Sequence, residues 1–169
     1  GREQLMKDKP TMQIVYAQAL LEMGQVEQAR TWLAPIVRKY PGQRFARFLL
    51  GDAQLRGGDA KAASAMLKPI AQRPDASPKE LVLAAQAAKE LGDPEAAEFM
   101  ARSKLPAPEW LGGEMAKADT ALRNGNWNSA AESYERIKER LSRPNAMVLN
   151  NLAYAKGKLG LGQEAVELA

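Results

Sequence analysis

Residues 53–67 read Ala-Gln-Leu-Arg-Gly-Gly-Asp-Ala-Lys-Ala-Ala-Ser-Ala-Met-Leu, and this stretch predicts a tight helical hairpin. Gly58 can adopt the left-handed conformation that commonly ends a helix. Asp59 follows it at the position where a side chain caps the next helix. Ala63 comes five residues after the glycine. Its small side chain allows the two antiparallel helices to approach closely.

The same glycine-to-alanine spacing recurs along the chain. The glycines are Gly24, Gly58, Gly92, Gly125 and Gly160, and the alanines five residues later are Ala29, Ala63, Ala97, Ala130 and Ala165. The alanines are separated by 34, 34, 33 and 35 residues. After the alanine, an i, i+4, i+7 stripe such as Ala29, Leu33 and Ile36 gives the second helix one apolar face. The pattern therefore predicts five similar hairpins in succession.

Composition supports helices and excludes several kinds of chemistry. The 169 residues include 30 alanines but only 13 residues of Val, Ile and Thr, which favours helix over strand. There is no cysteine or histidine, so disulfides, thiolate nucleophiles, Cys/His zinc sites and imidazole catalysis are excluded. The net charge of +4 is spread over interspersed residues, which gives little support to nucleic-acid binding. No apolar stretch approaches the ~18 residues of a membrane helix.

Ten helices are predicted, with errors of a few residues at their ends. They span 11–23, 26–39, 43–56, 59–72, 78–91, 93–103, 109–124, 127–141, 145–159 and 162 onward. Pro35 and Pro69 fall inside second helices, where we expect kinks. The proline-containing segment 104–110 predicts an irregular junction. Residues 2–8 read as the tail of a preceding second helix, and the chain stops within a helix, so we expect both ends to be cut from a longer array.

A repeat of this length resembles the tetratricopeptide repeat, a helix-turn-helix unit of about 34 residues, in a bacterial-type array. The final stretch, from Asn150-Asn151-Leu152-Ala153-Tyr154 through Gly160 to Ala165, is most similar to it. The small residue at the eighth place of each unit fits as well: Ala17, Gly51, Ala85, Ala118 and Ala153. The resemblance implies an all-α, right-handed superhelix (solenoid) of about five repeats. The whole chain, 1–169, would form one domain with repeats at 10–43, 44–77, 78–110, 111–145 and 146–169.

The resemblance also implies a protein-interaction scaffold, since in the family the first helix of each repeat lines a concave groove for partner peptides. The family's groove-facing places give the candidate partner-binding residues Ile14, Gln18, Leu21, Phe45, Phe48, Asp52, Leu55, Val82, Gln86, Lys89, Met115, Asp119, Leu122 and Tyr154. The same places are also occupied by Thr11, Glu22, Arg56, Lys79, Glu90, Arg123, Met147, Asn150 and Lys158. The apolar members suit an apolar or amphipathic partner. Phe48 and Leu55 have an i, i+7 spacing that suits packing between helices equally well.

Other functions receive less support from the sequence. Residues 157–162 lack the preceding strand and the Ser or Thr of a phosphate loop. Glu132 and Glu135 have the i, i+3 spacing of an ordinary helix surface. The carboxylate clamp known in the family needs Lys at the fifth place and Asn at the ninth, and this chain lacks that set. We therefore predict no catalytic residue, no metal site and no cofactor.

The expected partner is a protein or peptide of unknown identity, with no nucleic acid and no membrane insertion by this segment. The alternative function is homo-oligomerisation through exposed apolar strips or open end faces. The alanine-rich composition and the Asn-Asn-Leu-Ala-Tyr unit are similar to repeat proteins of bacterial export and envelope-polysaccharide systems. This similarity favours the periplasmic side of a bacterial envelope over the cytoplasm.

Overall fold

The computed structural model describes residues 9–105, 109–141 and 143–168, and over these residues the chain forms ten α-helices and no β-strand. The helices are α1 (Pro10–Glu22), α2 (Val26–Lys39), α3 (Arg44–Arg56), α4 (Ala60–Ala71), α5 (Pro78–Glu90), α6 (Glu95–Ser103), α7 (Glu109–Arg123), α8 (Trp127–Arg140), α9 (Ala146–Lys158) and α10 (Gly162–Leu168). Consecutive pairs form five hairpins, each with a leading and a trailing helix. The predicted all-α architecture of about five helix-turn-helix repeats is confirmed.

Every predicted helix end lies within two residues of the observed one. The largest difference is at α6, which begins at Glu95 and not at residue 93. The helix tail expected at residues 2–8 and residues 106–108 of the expected junction lie outside the described residues.

The turn of each hairpin is built in the same way. Its glycine has a φ angle between 69° and 81°, and these glycines are Gly24, Gly58, Gly92, Gly125 and Gly160. The residue after the glycine donates its backbone N–H to the carbonyl five residues earlier, as Asp59 N does to Gln54 O at 2.9 Å. This is the Schellman arrangement. It needs a left-handed residue, which glycine adopts without a Cβ clash, so the predicted role of these glycines is confirmed.

The third hairpin departs from the common register. In the second hairpin the N–H of Ala63 bonds to the carbonyl of Asp59 at 3.0 Å, whereas in the third it is Ala96, and not Ala97, that bonds to Asp93 O, at 3.1 Å. Helix α6 begins three residues after its glycine, whereas α4 begins two residues after its own. The side chains of α6 are therefore rotated relative to the leading helix α5. Ala97 is exposed, so the prediction that it packs inside the hairpin is wrong. Phe99 is buried instead.

Helices α2 and α4 continue through Pro35 and Pro69. A proline inside a helix leaves the carbonyl four residues earlier without its usual donor. For Pro69 this carbonyl is that of Ala65, and the Arg47 guanidinium of α3 donates a hydrogen bond to it at 3.3 Å. A side chain of the leading helix therefore replaces the missing backbone bond of the trailing helix.

The chain divides into two compact units. Among the described residues, unit 1 comprises 9–71 and 77–105 and contains α1 to α6; unit 2 comprises 72–76, 109–141 and 143–168 and contains α7 to α10. The single domain expected from the sequence stays a prediction. In unit 1 each helix packs on the next one along the chain, and the leading helices also contact each other, α1 with α3 and α3 with α5. These three leading helices therefore form one layer.

The core of unit 1 contains a close approach of α3 to α4. A Cβ atom added to Gly51 would lie 2.5 Å from Leu67 Cγ. The Leu67 side chain is fully buried, so it has little room to move away. Glycine at the eighth place of this repeat is therefore a packing requirement.

In unit 2 the leading and trailing helices are joined by a buried charge. Glu114 of α7 is 5% exposed, and its Oε1 accepts hydrogen bonds from Arg136 of α8, at 2.8 Å from Nε and 2.6 Å from Nη2. Burial by itself acts to raise the pKa of the Glu114 carboxyl. The hydrogen bonds from Arg136 and Ser133 and the nearby positive charge outweigh burial, and the pKa is lowered from its usual value.

Replacing Gly51 by alanine is expected to lower the free energy of unfolding by about 1–3 kcal/mol, because the added methyl group overlaps Leu67. Gly113→Ala is the matched control, since Gly113 lies inside α7 and an added Cβ has no neighbour within 4 Å. The control should raise stability by up to about 1 kcal/mol through helix propensity. Urea unfolding followed by circular dichroism measures both. Equal effects of the two substitutions would contradict the close approach.

Ionised Glu114 is expected to stabilise the fold at neutral pH. Because its folded pKa lies below the unfolded value of 4.5, this stabilisation is present above the unfolded pKa and is lost as the pH falls through the folded pKa. Glu114→Gln should therefore flatten the dependence of the unfolding free energy on pH between about pH 5 and pH 3. Glu132→Gln, on the exposed side of α8, is the control that removes one carboxylate from the same unit. An unchanged slope in Glu114→Gln would refute this role.

Candidate protein-interaction groove

A groove of about 490 Å³ lies across the three leading helices of unit 1. We call it the unit 1 groove. It is lined by Gln18, Leu21 and Glu22 of α1, by Phe48, Leu49, Asp52 and Arg56 of α3, and by Pro78, Lys79, Val82 and Leu83 of α5. Its volume falls within the ~300–1,000 Å³ common for ligand pockets. No single hairpin forms it, because each leading helix contributes part of the lining.

The floor of the unit 1 groove is apolar. Leu21 and Leu49 lie at its base and belong to the core of unit 1. Phe48 and Val82 are half-buried, so part of each side chain faces the groove. Phe45 is 43% exposed, and its ring stacks on that of Phe48 with a centroid distance of 6.2 Å. The apolar surface of the groove therefore continues onto an accessible aromatic ring.

One charged side chain of the lining, Arg56, links two of the leading helices. The Arg56 guanidinium donates to both carboxylate oxygens of Asp52, at 2.9 and 3.0 Å, as their i, i+4 spacing on α3 allows. Arg56 also donates to the backbone carbonyl of Leu21 in the last turn of α1, at 3.1 Å. That carbonyl lies at the helix end and has no donor within α1, and it also accepts the backbone N–H of Gly24 in the turn at 3.0 Å. The charges of Asp52 and Arg56 therefore neutralise each other, and Arg56 is also bound to the end of α1.

Two further charges of the lining are exposed. Glu22, the last residue of α1, accepts a long hydrogen bond of 3.5 Å from the Gln18 side chain. Lys79, the second residue of α5, has neither a hydrogen bond nor an ion pair with any described residue. One negative and one positive charge therefore stand on the two outer helices of the groove, free to meet a ligand.

The structure brings five of the candidate residues together in the lining: Gln18, Leu21, Phe48, Asp52 and Val82. Glu22, Arg56 and Lys79, which occupy groove-facing places too, also lie in the lining. The other candidates in unit 1, apart from Ile14, lie outside the lining: Phe45, Leu55, Gln86 and Lys89. Sequence reasoning missed Leu49, Pro78 and Leu83 in the lining. Leu49 and Leu83 are 34 residues apart, so an apolar side chain at the same place of two repeats was the available signal for these two.

Two candidates are corrected by the structure. Ile14 is 4% exposed and Met115 is 0% exposed. Ile14 belongs to the buried core cluster of unit 1, and Met115 belongs to that of unit 2. Both side chains lie on the face that packs against neighbouring helices, so the prediction that they contact a partner is wrong.

The remaining candidates, Asp119, Leu122 and Tyr154, belong to unit 2, and the first two pack within it. Asp119 accepts a hydrogen bond from the Tyr134 hydroxyl at 2.6 Å and pairs with Arg73 at 2.7 Å. Tyr134 is fully buried, and its hydroxyl also accepts a bond from Asn151 at 3.1 Å. Burial and the Asp119 carboxylate raise the pKa of Tyr134. Leu122 is partly buried against the same core.

Tyr154 is the candidate of unit 2 that faces solvent, at 52% exposure. Its ring meets the edge of Trp127 at a centroid distance of 5.8 Å, and the Lys158 ammonium lies 5.4 Å from its centre. The ring is thus held by an aromatic and a cation–π contact on unit 2 itself.

None of the helices in the described ranges combines the length and the apolar character that crossing a lipid bilayer requires.

Comparisons with known proteins find matches to repeat family models and distant similarity to solved structures. Two family models match, both of the tetratricopeptide repeat, over residues 10–53 and 45–69. No curated protein sequence matches the chain. The crystal structure of MamA protein has 18% identity and a TM-score of 0.49, with 94% of this chain and 87% of that chain covered. A second crystal structure, "Podosopora anserina putative kinesin light chain nearly identical TPR-like repeats", has 21% identity and a TM-score of 0.44, covering 94% and 90%.

The family models cover α1 to α3 and most of α4, which make up the first two hairpins. The other hairpins use the same glycine turn. Proteins of this family are typically non-enzymatic scaffolds that bind other proteins. The chain therefore carries tetratricopeptide repeats, identified by the family models over residues 10–69, and its fold is that of a general protein-interaction scaffold.

Proposed function

We propose that the chain binds a segment of a partner protein in the unit 1 groove. The observation that carries the proposal is a solvent-open groove with an apolar floor, formed jointly by three leading helices. Burying an apolar side chain of a ligand against a floor of this kind is favourable. Covering about 100 Å² of apolar surface contributes about 2.5 kcal/mol.

The rigidity of the lining supports specific binding. Arg56 joins α3 to α1, and the floor residues Leu21 and Leu49 are fixed in the core. A lining that is already ordered costs little conformational entropy when a ligand binds. The polar side chains around the floor, such as Gln18 and Asp52, orient the ligand by hydrogen bonds.

Val82→Lys is expected to weaken peptide binding by about tenfold or more, because it places a charge on the apolar floor. The probes are peptides selected on the wild-type protein from a displayed library of random eight-residue sequences. Their affinities are measured by fluorescence anisotropy. Met100→Lys is the control, since Met100 is an exposed apolar residue on the trailing helix α6. If the selected peptides bind Val82→Lys as well as they bind wild type, the groove is not the binding site.

A second function, self-association, is favoured by one feature of α1. Met12 and Val15 are 50% and 59% exposed. The residues 34 positions later, Ala46 and Leu49 of α3, are buried in the core that α3 shares with α2. The same helix face that is covered in the second hairpin is therefore open in the first, and a second copy of the chain provides a helix to cover it.

Under this second proposal, sedimentation velocity over a concentration series should show a wild-type dimer that Val15→Glu converts to a monomer. The charge would be buried without a partner in the interface. Val82→Lys should still dimerise, because Val82 lies in the groove. A monomeric wild type at every concentration excludes self-association through this face.

A further inference from the structure

The unit 1 groove carries opposite charges at its two ends. Its lining uses the C-terminal half of α1, the middle and end of α3 and the first turns of α5. The groove therefore crosses the three helices obliquely. Glu22 stands at the α1 end and Lys79 at the α5 end, both exposed. The Asp52–Arg56 pair between them is balanced, so the polarity of the groove comes from its two ends.

The distance between the two ends sets the length of the ligand. Glu22 is the thirteenth residue of α1 and Lys79 is the second of α5. Eleven residues of helix correspond to an axial offset of about 16 Å. Two steps between neighbouring helices, of about 8–10 Å each, separate α1 from α5. The diagonal is then about 25 Å, which an extended peptide covers with about seven residues.

We propose that the unit 1 groove selects an extended protein segment with a basic residue at its α1 end, apolar residues in the middle and an acidic residue at its α5 end. The inference rests on the proposed function and adds the chemistry and polarity of the partner. The apolar middle covers Leu21, Phe48 and Val82. The basic residue meets Glu22, and the acidic residue meets Lys79.

Charge complementarity decides against other peptide classes. A uniformly acidic segment is repelled by Glu22 at the α1 end of the groove. A uniformly basic segment is repelled by Lys79 at the α5 end. A purely apolar segment leaves both charges without a partner while it restricts their contact with water. A segment of mixed charge with the proper polarity satisfies both ends at once.

The test reverses the polarity of the groove. The random eight-residue library is panned on wild type and on the double variant Glu22→Lys/Lys79→Glu. Each substitution places a charge that the helix dipole favours, a cation at the end of α1 and an anion at the start of α5, so the fold is retained. Lys61→Glu/Glu98→Lys is the control, with the same charge changes at exposed positions of the trailing helices α4 and α6.

Peptides from wild type should carry opposite charges around an apolar centre, and those from the double variant should carry the same pattern with the two signs exchanged. Wild-type peptides should lose about tenfold or more in affinity for the double variant and keep their affinity for the control. The inference is overturned if the selected peptides have no charge pattern, or if the double variant selects the same pattern as wild type. The proposed function still stands in that case, provided that Val82→Lys weakens the binding of those peptides. If Val82→Lys weakens the binding of no selected peptide, both the inference and the proposed function are overturned.

Discussion

The left-handed glycine that ends each leading helix is the constraint on which the rest of the structure depends. Its φ angle and the hydrogen bond across it are nearly the same in all five turns. Each trailing helix therefore returns against its leading helix in a similar way. In unit 1 this repetition places α1, α3 and α5 in one layer. The groove follows from that layer, since its lining is drawn from three helices that are about 34 residues apart in sequence.

Arginine side chains donate hydrogen bonds to carbonyls that have no donor within their own helix. Arg47 donates to the carbonyl that Pro69 leaves without a donor, Arg56 to the end of α1, and Arg102 to the carbonyl of Ala71 at the end of α4. Each bond joins different helices, and a guanidinium has enough donors to serve a carbonyl and a carboxylate together. Part of the basic character of the chain is thus used inside the fold.

The helices could be predicted because their ends depend on local chemistry, such as Gly58 and Asp59. The site was predictable in part. Phe48 and Val82 recur at one repeat place, but Ile14 and Met115 occupy the same place and are buried, since a periodic stripe does not say which side of it a neighbour covers. The register of α6 depends on a shift of one residue at its start. The Asp119–Tyr134 hydrogen bond depends on a contact between residues of two different helices. Neither leaves a periodic signal.

If partners bind on the layer of leading helices in unit 1, an NMR titration of the isotope-labelled protein with a peptide selected on it will locate the contact. We expect the largest changes in backbone amide chemical shift at Gln18, Asp52 and Val82, and no change at exposed residues of α2 and α4. Changes concentrated on the trailing helices, or on unit 2 alone, would contradict this expectation.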